Sequence, residues 1–142
     1  MEPDPFASLI DTESTDWIPL KPGSYMKVLR ISEETGHWSA LVRGDAGVVI
    51  DRHRHVGPAD FYVISGCIDY RGGIAPAGSY IYEGAGQIHP ATTHPVDTVY
   101  FANVYGPTAI LDEDDKVIEL VDFTTVRELV RQHQEQSVPS VS

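Results

Sequence analysis

The sequence predicts an all-β fold, a single barrel of short strands followed by one short helix. Three observations predict it. Short β-like runs follow one another along most of the chain, turns rich in glycine, proline and aspartate separate them, and several runs alternate apolar with polar residues. The 142 residues suit one domain with one hydrophobic core. We therefore expect sheets that each bury one face.

The expected strands are bounded by turn signals such as Gly44-Asp45 and Gly106-Pro107. Residues 61–65 show the alternation of a strand with one buried face. The predicted strands cover residues 24–31, 38–43, 48–55, 60–66, 67–71, 79–83, 98–105 and 116–122.

Three segments are expected along the chain. Residues 1–16 are polar and predict an N-terminal arm or edge strand, residues 17–123 the barrel, and residues 124–142 a C-terminal helix and tail. No linker divides the chain into two domains.

The helical pattern spans residues 123–135. Thr124 or Thr125 is expected to cap its N-terminus, because a threonine hydroxyl can accept a hydrogen bond from the first free amides. Val126, Leu129 and Val130 form its apolar side.

Charge and composition exclude several classes of function. The chain carries 21 acidic against 10 basic residues, a formal charge of −11, which disfavours nucleic acids and anionic membranes as partners. Its one cysteine, Cys67, cannot form an internal disulfide and fits a reducing cytoplasm. The acidic, proline-bearing start does not resemble a signal peptide, and no apolar run approaches the ~20 residues of a membrane span. We expect a cytoplasmic protein.

The spacing of two histidines predicts a metal site. His53 and His55 lie at positions i and i+2 in a strand-like run, so both rings face the same side of the strand and can share one ion. A third ligand must then come from another strand.

Two motifs resemble those of the cupin family. Gly47 is followed by five residues and His53-Arg-His55, and this motif closes at Gly66. Gly78 is followed by five residues, Gly84-Ala-Gly86, two residues and His89. The resemblance implies an RmlC-like double-stranded β-helix, or jelly-roll barrel, that holds one divalent metal through His53, His55 and His89.

The cupin motif usually supplies a glutamate as fourth ligand, and this sequence departs from it. The chain has Ala59 and then Asp60 at that point. A displacement of one residue turns a side chain to the other face of a strand, so Asp60 is not expected to bind the metal. The expected donor set is therefore three neutral imidazoles.

This subset resembles the acetylacetone dioxygenases and 2,4′-dihydroxyacetophenone dioxygenases from about Trp17 to Phe123. The resemblance is carried by the stretches His53-Arg-His-Val-Gly-Pro58, Asp69-Tyr-Arg-Gly-Gly73, Gly78-Ser-Tyr-Ile-Tyr-Glu83 and Tyr105-Gly-Pro107. It implies an Fe(II) enzyme that uses O₂ to cleave a C–C bond of a β-diketone or α-hydroxyketone through a metal-bound enolate. Three imidazoles also suit zinc, nickel or copper.

Two charged residues have more than one interpretation. In the resembling family an acid at the position of Glu83 lies near the metal without binding it, where it could orient an imidazole or accept a substrate proton. Glu83 could equally be a carboxylate at the rim of the site. Arg71 could steady an anionic substrate, pair with an acid, or lie at the surface as an ordinary arginine.

Strand parity suggests which side chains line a pocket. Packing in an ordinary core is the alternative for each of them. The candidates are Phe61, Val63, Tyr100, Ala102 and Val104.

Two further residues are weaker candidates. His94 could be a pocket residue, a competing ligand or a plain loop histidine. Asp51 shares the parity of His53 and could form a hydrogen bond to its ring, or lie exposed at the start of the strand.

Two other functions compete with the dioxygenase. One is a metal-binding sensor or regulatory cupin, like the cupin domain of zinc-dependent anti-sigma factors, although the sequence offers no extra cysteines for zinc. The other is a cupin isomerase or sugar-binding cupin, which the missing glutamate disfavours. Uncovered sheet edges and apolar faces predict a homodimer or homotetramer.

Overall fold

Residues 8–137, the range that the computed structural model describes, form 14 β-strands, a 3₁₀ turn at Thr12–Ser14 and one α-helix. The prediction of an all-β fold with a C-terminal helix is confirmed. The first part of the expected arm and the expected tail, residues 1–7 and 138–142, lie outside the described residues.

The largest sheet has six strands, and each pairs antiparallel with its neighbours. Its inward positions alternate with outward ones, as on β12, where every second residue from Thr98 to Val104 is buried. In spatial order the strands are β1 (Ile18–Lys21), β2 (Ser24–Ile31), β3 (Trp38–Gly44), β12 (Thr98–Val104), β6 (Ala59–Ser65) and β9 (Tyr80–Glu83).

Two four-stranded sheets of shorter strands complete the fold. The first consists of β10 (Ile88–His89), β5 (His53–His55), β13 (Thr108–Leu111) and β14 (Val117–Val121). The second consists of β4 (Val49–Ile50), β11 (Thr92–Thr93), β7 (Cys67–Tyr70) and β8 (Gly73–Pro76).

The long strands match their predictions closely, and of the shorter ones β7, β9 and β14 agree to within one residue at each end. Strand β2 has the predicted bounds, whereas the single run predicted over residues 48–55 is two strands, β4 and β5, in different sheets. Five strands of two to four residues had no predicted counterpart, since runs this short show little periodicity. These are β1, β8, β10, β11 and β13.

Helix α1 (Phe123–Ser137) closes one end of the barrel. Val126 is buried and Leu129 packs against the same core cluster. The expected cap was wrong. The carboxylate of Asp122 accepts hydrogen bonds from the amides of Thr124 and Thr125, so aspartate is the N-cap. No helix among the described residues is long and apolar enough to cross a membrane.

Two glycines bring the loop after β5 into contact with the loop after β12. A Cβ on Gly57 would lie 2.8 Å from the Cα of Gly106, so neither position has room for a side chain. The amide of Val56 donates to the carbonyl of Pro107 nearby, over 2.8 Å. This contact fixes the end of the strand that carries His55.

Candidate metal centre

Three histidine rings converge because of the pairing between two short strands. His89 on β10 is the direct cross-strand partner of His53 on β5, and His55 lies two residues further on the same face. The Nε2 atoms of His53 and His55 are 3.2 Å apart. The ring of His89 lies 5.4 Å from that of His53 and 5.6 Å from that of His55, measured between centroids.

The carboxylate of Glu83 lies among these nitrogens. Its Oε2 is 3.3 Å from Nε2 of His55, 3.9 Å from Nε2 of His53, and in contact with Nε2 of His89. The observed cluster therefore contains a carboxylate in addition to the three neutral imidazoles expected as donors. Among the described residues, the donor atoms of His53, His55 and Glu83 all lie within 4.8 Å of one another.

The cluster fits a divalent metal. Oε2 of Glu83 and Nε2 of His89 are buried and have no hydrogen-bond partner of acceptable geometry, which is costly unless another group binds them. Burial lowers the pKa of His89 to about 4 and also lowers the pKa of His53. Both rings are therefore neutral near pH 7, the form that donates a lone pair to a metal.

The Nδ1 atoms of His53 and His55, which face away from the cluster, each have a hydrogen-bond partner. Nδ1 of His53 lies 2.8 Å from the backbone carbonyl of Asp51, and Nδ1 of His55 lies 3.3 Å from Oγ1 of Thr108. These bonds fix the orientation of the rings. The carboxylate of Asp51 points elsewhere and pairs with Lys21 at 3.6 Å, so the suggested side-chain bond to His53 is replaced by a backbone one.

Arg71 reaches the third ring from a tight turn. Arg71 and Gly72 join β7 to β8 in a two-residue turn with positive φ angles of 48° and 80°, as a type I′ hairpin requires. Nη2 of Arg71 lies 3.0 Å from Nδ1 of His89. A guanidinium only donates, so this contact leaves the proton of the neutral ring on Nε2, beside Glu83. A metal ion binding at Nε2 would replace that proton.

Two weaker candidates lie away from the donor atoms. Asp60 points to the outer face of the large sheet, where its carboxylate accepts hydrogen bonds from Asn103, Tyr80 and Tyr105. His94 is only 2% exposed, and its ring lies 5.9 Å from that of Tyr100. Neither of its ring nitrogens has a hydrogen-bond partner in the described structure.

The centre opens on a cavity of about 1050 Å³ inside the barrel. The lining includes four of the five predicted pocket residues, namely Phe61, Tyr100, Ala102 and Val104. Val63 is not among the lining residues and is fully buried in a core cluster with Tyr100 and Ala102, which is the alternative that the sequence left open. Burial and the nearby Glu83 both raise the pKa of Tyr100, so its hydroxyl stays protonated.

Sequence reasoning missed two residues next to the centre. Thr108 supports His55, but strand β13, on which it lies, was not predicted. The ring of Tyr70 stacks near that of His89, with centroids 6.2 Å apart. Tyr70 lies two residues after the buried Ile68 on β7, and this spacing could have predicted that it faces inward.

Comparisons with known proteins agree with this geometry. Residues 7–109 match the family described as the ChrR cupin-like domain. The chain is 32% identical over 107 residues to the acetylacetone-cleaving enzyme of Acinetobacter johnsonii, which covers 71% of this chain and 70% of that enzyme.

Solved structures agree on the fold. A candidate acetylacetone dioxygenase from Methylibium petroleiphilum PM1 superimposes with a TM-score of 0.83 at 27% identity, over 90% of this chain and 96% of that one. The complex of SigE with the anti-sigma ChrR from Rhodobacter sphaeroides gives a TM-score of 0.57 at 19% identity, over 66% of this chain and 50% of that one, and shows the fold alone. The chain is therefore a cupin of the ChrR cupin-like domain family that resembles acetylacetone dioxygenase.

Proposed function

We propose that the chain is a metal-dependent dioxygenase that cleaves a C–C bond of a β-diketone or α-hydroxyketone, with Fe(II) as its native metal. The observation that carries the proposal is the convergence of three imidazole nitrogens and one carboxylate at the wall of a large, mainly apolar cavity. The acetylacetone-cleaving relative supports the choice of reaction.

In this proposal His53, His55 and His89 hold the metal, and it supplies a Lewis-acidic, redox-active centre for O₂ chemistry when bound. Zinc, nickel or copper would fit the same nitrogens, so the proposal of iron comes from the proposed O₂-dependent reaction and not from the ligands. The backbone of Asp51 and the hydroxyl of Thr108 keep two of the rings oriented.

Glu83 is the proposed proton acceptor. An enolisable ketone must lose a proton from the carbon next to its carbonyl, and Oε2 of Glu83 is a buried carboxylate oxygen at the wall of the cavity, close to the imidazole nitrogens. The protonated hydroxyl of Tyr100 lines the same cavity and can donate to a substrate oxygen. Apolar walls keep water from competing for that oxygen.

The test is reconstitution of the purified protein with Fe(II) under argon, followed by O₂ uptake with a panel of small diketones. We expect uptake with at least one diketone and its loss in His89→Ala, which should remain folded and lose tight metal binding. His133→Ala is the matched control, because His133 lies on α1 and pairs with Asp16 at 3.2 Å. Zinc in the native protein with no O₂ uptake would refute the proposal, and full metal content in His89→Ala would refute the ligand assignment.

A metal-binding sensor is the second candidate function. It is favoured by the match to the ChrR cupin-like domain family. A sensor of this kind would bind metal without consuming O₂, so the same experiment separates the two functions.

A homodimer or homotetramer is part of the proposal. The outer face of the large sheet exposes Tyr62, Ile64, Tyr80 and Tyr82, which together form an apolar, tyrosine-rich patch. A second copy is the proposed occupant, because the four patch residues are uncharged and Asp60 beside them keeps three hydrogen-bond donors of its own chain when the patch is covered. Sedimentation should show a dimer or larger assembly that Tyr82→Lys dissociates. A wild-type monomer would contradict it.

A further inference from the structure

A basic and aromatic cluster lies on the outer face of the six-stranded sheet, away from the metal centre. Arg43 on β3 has Tyr25 of β2 and Val99 of β12 as its cross-strand partners. A sequence neighbour of each of the three lines the barrel cavity, so their own side chains point outwards. The sheet therefore separates the cluster from the cavity.

Two aromatic rings hold the guanidinium of Arg43 in place. Its Cζ lies 4.2 Å from the ring centroid of Tyr25 and 5.2 Å from that of Trp17, the distances of cation–π contacts. A side chain held in this way loses little further freedom when a ligand binds. Nζ of Lys27 lies 4.8 Å from the same indole centroid, so a second positive charge is adjacent.

The donors of Arg43 lack acceptors. Among residues 8–137 this guanidinium forms no ion pair and no hydrogen bond, and of its three nitrogens only Nε is buried. The two Nη groups therefore face solvent, where their N–H groups match the two oxygens of one carboxylate. Four other basic residues are already paired with carboxylates, namely Lys21, Arg52, Arg127 and Arg131.

The acids near the cluster leave its charge largely uncancelled. Asp16, next to the indole in sequence, pairs with a histidine of α1. The pKa of Asp11 is lowered first by the hydrogen bond from Ser14 and least by the charge of Lys27, so these two charges interact only weakly. Nζ of Lys27 donates to the backbone carbonyl of Thr12. The cluster is therefore a locally positive place on a chain whose net charge is −11.

We propose that Arg43, Trp17 and Tyr25 form a binding site for a small organic acid. The two Nη groups bind its carboxylate, and its apolar body lies against the half-buried aromatic rings. Lys27 adds attraction for the anion. The site lies outside the barrel, so it does not depend on the proposed reaction.

Nuclear magnetic resonance can follow this site directly. The full-length ¹⁵N-labelled protein with one equivalent of Zn(II) is titrated with benzoate, acetate and sulfate at constant ionic strength. Benzoate should shift the Nε–H signal of Arg43 and the indole N–H signal of Trp17 saturably, with half-saturation below about 10 mM. It should bind at least about threefold more tightly than acetate or sulfate, because only benzoate has a ring to bury.

The indole N–H of Trp38 is the internal control, since Trp38 is 8% exposed and lines the cavity. Its signal should not move. Movement of both indole signals with the same half-saturation would assign benzoate to the cavity and overturn the proposal. Absence of a saturable shift at Arg43, or equal affinity for the three anions, would overturn it as well.

Substitution tests the guanidinium. Arg43→Lys keeps the charge and loses the parallel donors, so benzoate should bind at least about fivefold more weakly. Arg30→Gln is the matched control, because Arg30 is exposed on β2 and has no ion pair among the described residues, and it should change the affinity less than about twofold.

A second variant tests the aromatic part of the site. If Arg43→Lys does not fold, Trp17→Leu should reduce the preference for benzoate over acetate about threefold. Unchanged affinity in folded Arg43→Lys, an equal loss in Arg30→Gln, or an unchanged preference in Trp17→Leu would each contradict the assignment.

Discussion

The six-stranded sheet and the sheet that carries the metal-site histidines differ in how they are built. Four strands of the large sheet have seven or eight residues, and most of their buried positions are apolar, such as Tyr100, Ala102 and Val104 on β12. In the sheet of β10, β5, β13 and β14, the two strands with the histidines have only two and three residues. Their inward positions hold imidazoles.

The two regions therefore have different sources of order. The large sheet is held by buried apolar side chains, such as Val63 and Ala40, which are both fully buried. The histidine strands are too short to be stable alone and depend on their neighbours, including the contact between Gly57 and Gly106. The large sheet therefore forms a wall of buried apolar contacts, against which two short strands hold the cluster of imidazoles.

The largest expected effect lies at the cluster. Glu83→Gln keeps the shape of the side chain but removes its negative charge and its ability to accept a proton. We expect O₂-dependent turnover to fall at least about 100-fold, the scale of a lost general base, while the thermal unfolding temperature changes little. Stopped-flow O₂ consumption and metal analysis measure the two effects.

The metal content of Glu83→Gln distinguishes a proton acceptor from a metal ligand. Retained stoichiometric iron in Glu83→Gln is the expected result for a proton acceptor beside the metal. Loss of iron would instead make Glu83 a ligand, as its distances of 3.3 Å and 3.9 Å from two Nε2 atoms permit. Unchanged turnover would exclude both roles.

A smaller effect, on stability and not on metal content, is expected in the large sheet. Val63 is fully buried but does not line the cavity. Val63→Ala removes buried methyl groups and should lower the free energy of unfolding by about 2 kcal/mol, which is roughly 30-fold in the ratio of folded to unfolded protein. Iron content should be unchanged. Denaturant titration of the metal-free protein measures the loss.

Ile118 provides the matched control for this change. It lies on β14, outside the patch proposed as the interface, and is 65% exposed, so Ile118→Ala should alter stability by no more than about 0.5 kcal/mol. Equal losses in the two variants would show that the inner face of the wall does not dominate stability.

The same contrast explains what could be predicted. Strands β2 and β12 were predicted to within one residue, because long runs of alternating side chains give a clear period of two. Strands β10 and β13 were missed, and in β10 two residues are too few to show any period. The histidines were still found, because the spacing of a pair on one strand depends on local geometry alone.

The sequence by itself determined the all-β class, the shared face of His53 and His55, and the inward parity of Phe61 and Tyr100, because these follow from the two-residue repeat of a strand. Only the tertiary structure decided that Glu83 lies among the imidazoles. That position depends on the packing of β9 in one sheet against β5 and β10 in another, an arrangement between strands that no local pattern encodes.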